Sequence, residues 1–343
     1  MRRTRLPNVA TAILLAALPF ATRAAEPESA TDVRVHDPVM IRERDTFYLF
    51  GTGQGVSVLS SRDLRHWQKE PPVFDTPPAW TAGVVPDFRG HFWAPDISLH
   101  DGTYFLYYAV SSGGKITSAI GVATNRTLDR SSPDFEWVDH GIVVQSVPYR
   151  DLWNAIDPQL VEGDDGTPWL AFGSFWAGLR LVKLAPDRLR VAEPQEWHSL
   201  AKRERSVLVD DAAPEPAAIE APFVFRHGGW YYLFASWDHC CRGARSDYKV
   251  VVGRARDVRG PFVDADGKRM DQGGGTLVVA GTPDYPGIGH NSAYTFDGRD
   301  WFVAHAYDAH DRGTSKLQML SITWDEKGWP HVAPPRAASP VDE

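Results

Sequence analysis

A chain of 343 residues, 43% hydrophobic and 23% charged, excludes a disordered, collagen-like or membrane-embedded protein and fits one large globular domain. Its formal charge of −8 repels nucleic acid and suits a neutral ligand or a cation.

The chain begins with Arg2, Arg3 and Arg5, continues through an apolar run over 10–21, and reaches small residues at Ala24 and Ala25. That order of basic, apolar and small regions predicts a secretory signal peptide over residues 1–24. The run is too short for a membrane anchor, which needs roughly 20 apolar residues. The protein is therefore expected to be secreted or periplasmic, with residues 25–343 as a single domain. Removing the segment takes four arginines and no acidic residue, leaving a charge of −12.

One unit then recurs five times: an acidic residue or histidine, in four copies near a proline, an alternating strand, a turn, and an aromatic-rich strand. The copies start at His36 (HDPVMIRERDTFYLFGT), Ala94 (APDISLHDGTYFLYYAV), Ile156 (IDPQLVEGDDGTPWLAFGS), Glu220 (EAPFVFRHGGWYYLFAS) and His290 (HNSAYTFDGRDWFVAHA). Their lead residues, Asp37, Asp96, Asp157, Glu220 and His290, are spaced by 59, 61, 63 and 70 residues. Asp101-Gly102, Asp165-Gly166, Gly228-Gly229 and Asp297-Gly298 predict tight hairpin turns. No apolar period of 3.6 is sustained, so few helices are expected. The pattern predicts an all-β protein, a five-bladed β-propeller, with a β-sandwich as the competing architecture.

In a propeller the innermost strand of each blade starts at one face of the channel, so the five lead residues are expected to converge there. An isolated Asp before a strand usually caps a turn. Charge gathered near one axis is costly, pushes one pKa upward, and points to function. A carboxylic acid beside a carboxylate is what glycosidic cleavage requires.

The two cysteines, Cys240 and Cys241, are adjacent, which leaves no long-range disulfide framework. Neighbouring Cα atoms lie about 3.8 Å apart, below the usual disulfide range, so a vicinal bridge is expected to be strained. Asn125-Arg126-Thr127 fits a glycosylation sequon, which marks an exposed loop only if the host glycosylates it.

The motifs VHDP (35–38), WAPD (93–96), NAIDP (154–158), GSFW (173–176), IEAP (219–222), CCRG (240–243) and GHNS (289–292) together resemble the arabinanase branch of glycoside hydrolase family 43. The resemblance spans about residues 33–331. It implies an inverting enzyme cutting α-1,5-linked arabinan and arabino-oligosaccharides, with Asp37 as general base, Glu220 as general acid, and Asp157 orienting the acid and raising its pKa. It also implies a hydrated calcium ion beside His290, with water filling most of its shell.

Trp93, Phe175 and Trp176 are the candidates for sugar stacking, and Asn154 and Ser174 for hydroxyl contacts. Cys240, Cys241 and Arg242 are expected near a subsite. Asp96 is grouped with these residues, either in the groove or supporting it from behind. A monomer is expected, with endo action favoured over exo. The rivals are a β-xylosidase or arabinofuranosidase of the same family, and a propeller lectin without catalysis.

Overall fold

The computed structural model describes residues 32–204 and 217–335, and the expected signal peptide lies outside them. The strands are β1 (Val39–Glu43), β2 (Thr46–Gly51), β3 (Gly53–Gln54), β4 (Ser57–Ser61), β5 (Gln68–Glu70), β6 (His91–His100), β7 (Thr103–Val110), β8 (Ser118–Asn125), β9 (Val138–Ser146), β10 (Gln159–Glu162), β11 (Pro168–Phe172), β12 (Leu179–Lys183), β13 (Trp197–Ala201), β14 (Ile219–His227), β15 (Trp230–Trp237), β16 (Lys249–Ala255), β17 (Thr276–Ala280), β18 (Gly289–Phe296), β19 (Arg299–Asp308), β20 (Thr314–Trp324) and β21 (Pro330–Val332). They form five antiparallel sheets, ordered β1-β2-β4-β5, β3-β6-β7-β8-β9, β10-β11-β12-β13, β14-β15-β16-β17 and β18-β19-β20-β21. Each sheet is a blade, and the inner strands β1, β6, β10, β14 and β18 neighbour one another in a closed ring. The five-bladed propeller read from the repeat is the observed architecture. Helix is confined to Thr81–Val84 and two 3-10 turns among the described residues, and no helix there is long and apolar enough to cross a membrane.

The blades have no cores of their own; five apolar clusters lie between them. Strand alternation produces this arrangement, because successive side chains point to opposite faces. In β7, Tyr104, Leu106 and Tyr108 pack toward blade 1, whereas Phe105 and Tyr107 pack toward blade 3. Further clusters join blades 3 and 4, 4 and 5, and 5 and 1. Truncating a fully buried member such as Leu106 to Ala removes packing on the order of 2–5 kcal/mol.

Blade 5 closes onto blade 1 by backbone as well as core. Leu317 N–H donates to Val33 O at 2.8 Å and Val35 N–H to Ser315 O at 3.3 Å, while Met40 and Leu49 pack with Val303 and Met319.

The four predicted turn dipeptides all sit between the first two strands of their blades. At Asp101-Gly102, Gly228-Gly229 and Asp297-Gly298 both residues have positive φ, as a type I′ turn requires.

Cys240 and Cys241, whose pairing their adjacency left open, are bridged to each other in a vicinal disulfide. One expectation needs correction. The sequon is not exposed: Asn125 is buried at the end of β8, and its Oδ1 accepts the backbone N–H of Glu136 at 3.0 Å, which closes the following loop.

Candidate active site

At the start of each inner strand the backbone leaves the strand region. Asp37, Ala94, Asp157, Ala221 and His290 have φ of 53°, 33°, 57°, 55° and 49°. Such values cost a non-glycine residue on the order of 1–3 kcal/mol and persist where the surroundings impose them. Proline follows in four of the five, and it cannot donate to the sheet ladder. The pairing register slips at this point in blades 2, 4 and 5, between Trp93 and Asp96, Glu220 and Phe223, and Gly289 and Ser292. Irregularities of this kind re-aim side chains, here into the mouth of the channel.

Asp37, Asp157 and His290 occupy the left-handed position itself. Glu220 comes one residue before it, and Asp96 two residues after it. That offset explains why Asp96 does not line the cavity, contrary to its grouping with the substrate contacts. Its buried carboxylate accepts the N–H of Leu160 in the next blade at 2.8 Å. Gln159, two residues after Asp157, does the same to blade 4, with Oε1 accepting Val224 N–H at 3.1 Å. Asp96 is thus one of the ties between inner strands, and burial pushes its carboxyl up to about 7.

The remaining lead residues share a cavity of about 550 Å³. Asp37 Oδ1 lies 2.8 Å from His36 Nδ1 and 3.0 Å from His290 Nδ1, and Oδ2 accepts the Thr52 hydroxyl at 2.5 Å. Burial alone raises its pKa, but the attraction of His290 and His36 and their hydrogen bonds outweigh burial and hold it well below the usual range. For His290, burial disfavours the charged ring, while Asp37 and Asp157 favour it more strongly and push its pKa up to about 9. His305, fully buried, accepts the Asp37 N–H on Nδ1 at 3.1 Å, and burial keeps its ring neutral.

Asp157 goes the other way. Burial raises its pKa first; His290 opposes, and the negative neighbours Glu220 and Asp37 add to the rise, so it stands well above the usual range. Its one backbone partner is Ala221 N–H at 3.2 Å. Glu220 accepts two hydroxyls, Ser174 at 2.7 Å on Oε2 and Tyr248 at 2.6 Å on Oε1.

Trp93, Asn154, Ser174, Phe175, Trp176 and Cys240 all line the cavity, as does Cys241. Asn154 is buried and its Oδ1 has no protein partner. Arg242 is not among the lining residues; it is exposed at the end of the CCRG turn, with its N–H on Ser246 Oγ at 3.1 Å.

Sequence reasoning missed His36, Thr52, Tyr248 and the loop carrying Ser112 and Lys115. For Tyr248 a signal existed in the glycine before His290: a Cβ on Gly289 would lie 2.1 Å from the Tyr248 ring, so only glycine lets that ring approach Glu220. The lining loop has no such mark.

Among the described residues, two groups bring three metal-ligating side chains together: His36 with Asp37 and His305, and His36 with Cys240 and Cys241. The second is not a thiolate site, because both sulfurs are bridged. His290 belongs to neither.

This chain matches the family model for glycosyl hydrolases family 43 over residues 30–330. It is 55% identical to the extracellular exo-alpha-(1->5)-L-arabinofuranosidase of Cellvibrio japonicus over 88% of this chain and 87% of that protein. It is 38% identical to the extracellular endo-alpha-(1->5)-L-arabinanase 1 of Bacillus subtilis, covering 95% and 97%. Among solved structures, the Cellvibrio cellulosa alpha-L-arabinanase complexed with arabinohexaose superimposes with a TM-score of 0.85 at 55% identity, over 88% of this chain and 96% of that one. With its propeller, its buried carboxylates and a match over nearly its whole described length, the chain belongs to family 43 of the glycosyl hydrolases.

Proposed function

We propose that this protein hydrolyses α-1,5-L-arabinofuranosidic bonds in arabinan, inverting the anomeric carbon and attacking within the chain. The observation that carries the mechanism is the gathering of Asp37, Asp157 and Glu220 in one cavity, with Asp37 held by two imidazoles and a hydroxyl and Glu220 by two hydroxyls. An ionised Asp37 takes a proton from water as that water attacks the anomeric carbon. Glu220 delivers a proton to the leaving oxygen, and its two hydroxyl partners fix its direction. Asp157, which accepts the N–H of Ala221 beside Glu220 at 3.2 Å, orients the acid. The open Oδ1 of Asn154 is an acceptor for a sugar hydroxyl, and Trp93, Phe175 and Trp176 supply apolar faces for the rings.

One relative is an alpha-(1->5)-L-arabinofuranosidase by name and the other an alpha-(1->5)-L-arabinanase, and both names support this substrate. The endo name of the Bacillus protein favours internal attack, whereas the exo name of the Cellvibrio protein favours the second reading, release from a chain end. Linear arabinan distinguishes them: a ladder of sizes means endo, one fixed product means exo. NMR of the first-formed sugar tests inversion, and a retained configuration would overturn the roles of Asp37 and Glu220. Binding without product would favour a lectin, and preference for an aryl xyloside would favour a xylosidase.

A hydrated calcium ion beside His290 belongs to the same proposal. The donor set fits an ion held largely through water: the His290 imidazole, its Nδ1 taken by Asp37, stands among three carboxyl groups in the cavity wall. A bound ion would add positive field at those carboxyls. Metal analysis with prolonged chelation tests it; no bound metal and unchanged turnover would remove the ion from the account. Export is supported by the extracellular names of both relatives, and the protein is proposed to act as a monomer.

A further inference from the structure

We propose that the Cys240–Cys241 bridge is a redox-sensitive brace for Asp37, acting through Tyr307 and His36. The inference rests on the reading of Asp37 as general base. The bridge closes a small ring through the peptide between the two cysteines and so fixes the direction of the Cys241 N–H. That N–H donates to the Tyr307 hydroxyl at 2.7 Å. The hydroxyl lies 3.0 Å from His36 Nε2, and His36 Nδ1 lies 2.8 Å from Asp37 Oδ1. With the His36 proton on Nδ1 the bonds run in one sense: peptide N–H to phenol oxygen, phenol O–H to imidazole, imidazole N–H to carboxylate; the same phenol oxygen lies 3.3 Å from His305 Nε2. The His36 ring stacks on buried His305 at 3.9 Å, so its remaining freedom is set by the partners at its two nitrogens.

Reduction by a dithiol breaks the sulfur–sulfur bond; two electrons and two protons pass to the cysteines, and the dithiol closes to its own disulfide. Cys241 is exposed, so the reagent has access. Two consequences follow at the relay. The peptide is released from its ring, and Cys241 Sγ, 3.7 Å from His36 Nε2, gains an S–H that competes with Tyr307 for the same nitrogen.

The test treats the whole protein with dithiothreitol, counts the liberated thiols with a chromogenic reagent, and measures turnover of arabinan and the His36 ring-proton resonances. Reduction should lower kcat on the order of tenfold or more, the scale of a displaced catalytic group, and leave KM within about twofold. Reoxidation should restore it. Tyr307→Phe, which keeps the ring and loses the hydroxyl, should start with a comparable loss and show no further loss on reduction, because both changes cut the same chain. Three results would overturn the brace: two thiols released with kcat unchanged, a rise in KM alone, or an equal further loss in Tyr307→Phe. An oxidised protein inactive on arabinan would sink the functional reading instead. The relay is still judged in that case, since the His36 resonances shift on reduction if it exists and stay fixed if it does not.

Discussion

Asp37 and Asp157 begin the inner strands of blades 1 and 3 in the same way: left-handed backbone, a following proline, a carboxyl buried in the same cavity. Their titration is nevertheless opposite. Asp37 meets two imidazoles and a hydroxyl; Asp157 feels His290 at longer range, two neighbouring carboxylates and one backbone N–H. Burial pushes both upward, and the partners decide which one yields. Identical backbone thus carries two carboxyls pushed in opposite directions, because the direction is set by the neighbours.

The sharpest way to break that contrast is Asp37→Ala. Loss of the base should lower kcat on arabinan by roughly 10⁴, the upper end of a general acid–base contribution. Steady-state rates measure it, and a loss below tenfold would remove Asp37 from the chemistry. Glu220→Ala should lose about 10²–10⁴ on arabinan but far less on an aryl arabinoside with an acidic phenol, whose departure needs little help. Equal losses on both substrates would leave Glu220 without an acid role.

Asp157→Asn imitates the protonated carboxyl. If Asp157 holds a proton at working pH, the substitution should cost only about tenfold, less than either change above. A loss as large as that of Asp37→Ala would mean that Asp157 works ionised, and the contrast would collapse. Thr52→Val removes the donor to Asp37 Oδ2, so the Asp37 pKa should rise and the acidic limb of kcat/KM move to higher pH, with a few-fold change in maximal rate. A limb that stays in place would show that the two imidazoles alone set Asp37.

The smallest expected effect concerns a third buried aspartate. Asp96, with a folded-state pKa of about 7 against a usual 3.8, binds a proton in the folded protein that the unfolded chain has released. Stability from this group is therefore lost as pH rises from about 4 to 7. Asp96→Asn keeps an acceptor for Leu160 and never ionises, so its melting temperature relative to wild type should climb between pH 4 and pH 8, with kcat unchanged. A constant difference across that range would show that Asp96 does not titrate there.

Asp96 also marks the limit of what the sequence could say. Asp37, Asp157 and His290 were legible because their repeat position is also their structural position, the left-handed residue opening the strand. In blade 2 that position is Ala94, and in blade 4 it is Ala221, so lining up acidic residues displaced Asp96 by two and Glu220 by one. In a strand, parity decides which face a side chain takes, and the register slip at the channel mouth is invisible in composition. The roles of Asp37 and Asp157 were likewise beyond spacing, since His290 and Thr52 reach them through tertiary contact. The hairpin turns were read correctly because Asp-Gly and Gly-Gly carry their geometry locally. The adjacent cysteines were ambiguous for the converse reason: nothing local says whether such a pair closes.

The seam between blades 5 and 1 has a kinetic consequence. Asp37 meets His290 and His305, and His36 meets Tyr307, across sequence separations of more than 250 residues, along with the pairing of Val33 and Val35 onto β20. Contacts of such range form late, because the loop they close must lose its entropy before they form. The surroundings of Asp37, the proposed general base, are therefore assembled by the same event that closes the ring. A refolding chain should gain blade fluorescence first and hydrolytic activity only in the slowest phase, so that catalysis itself reports when the circle is complete.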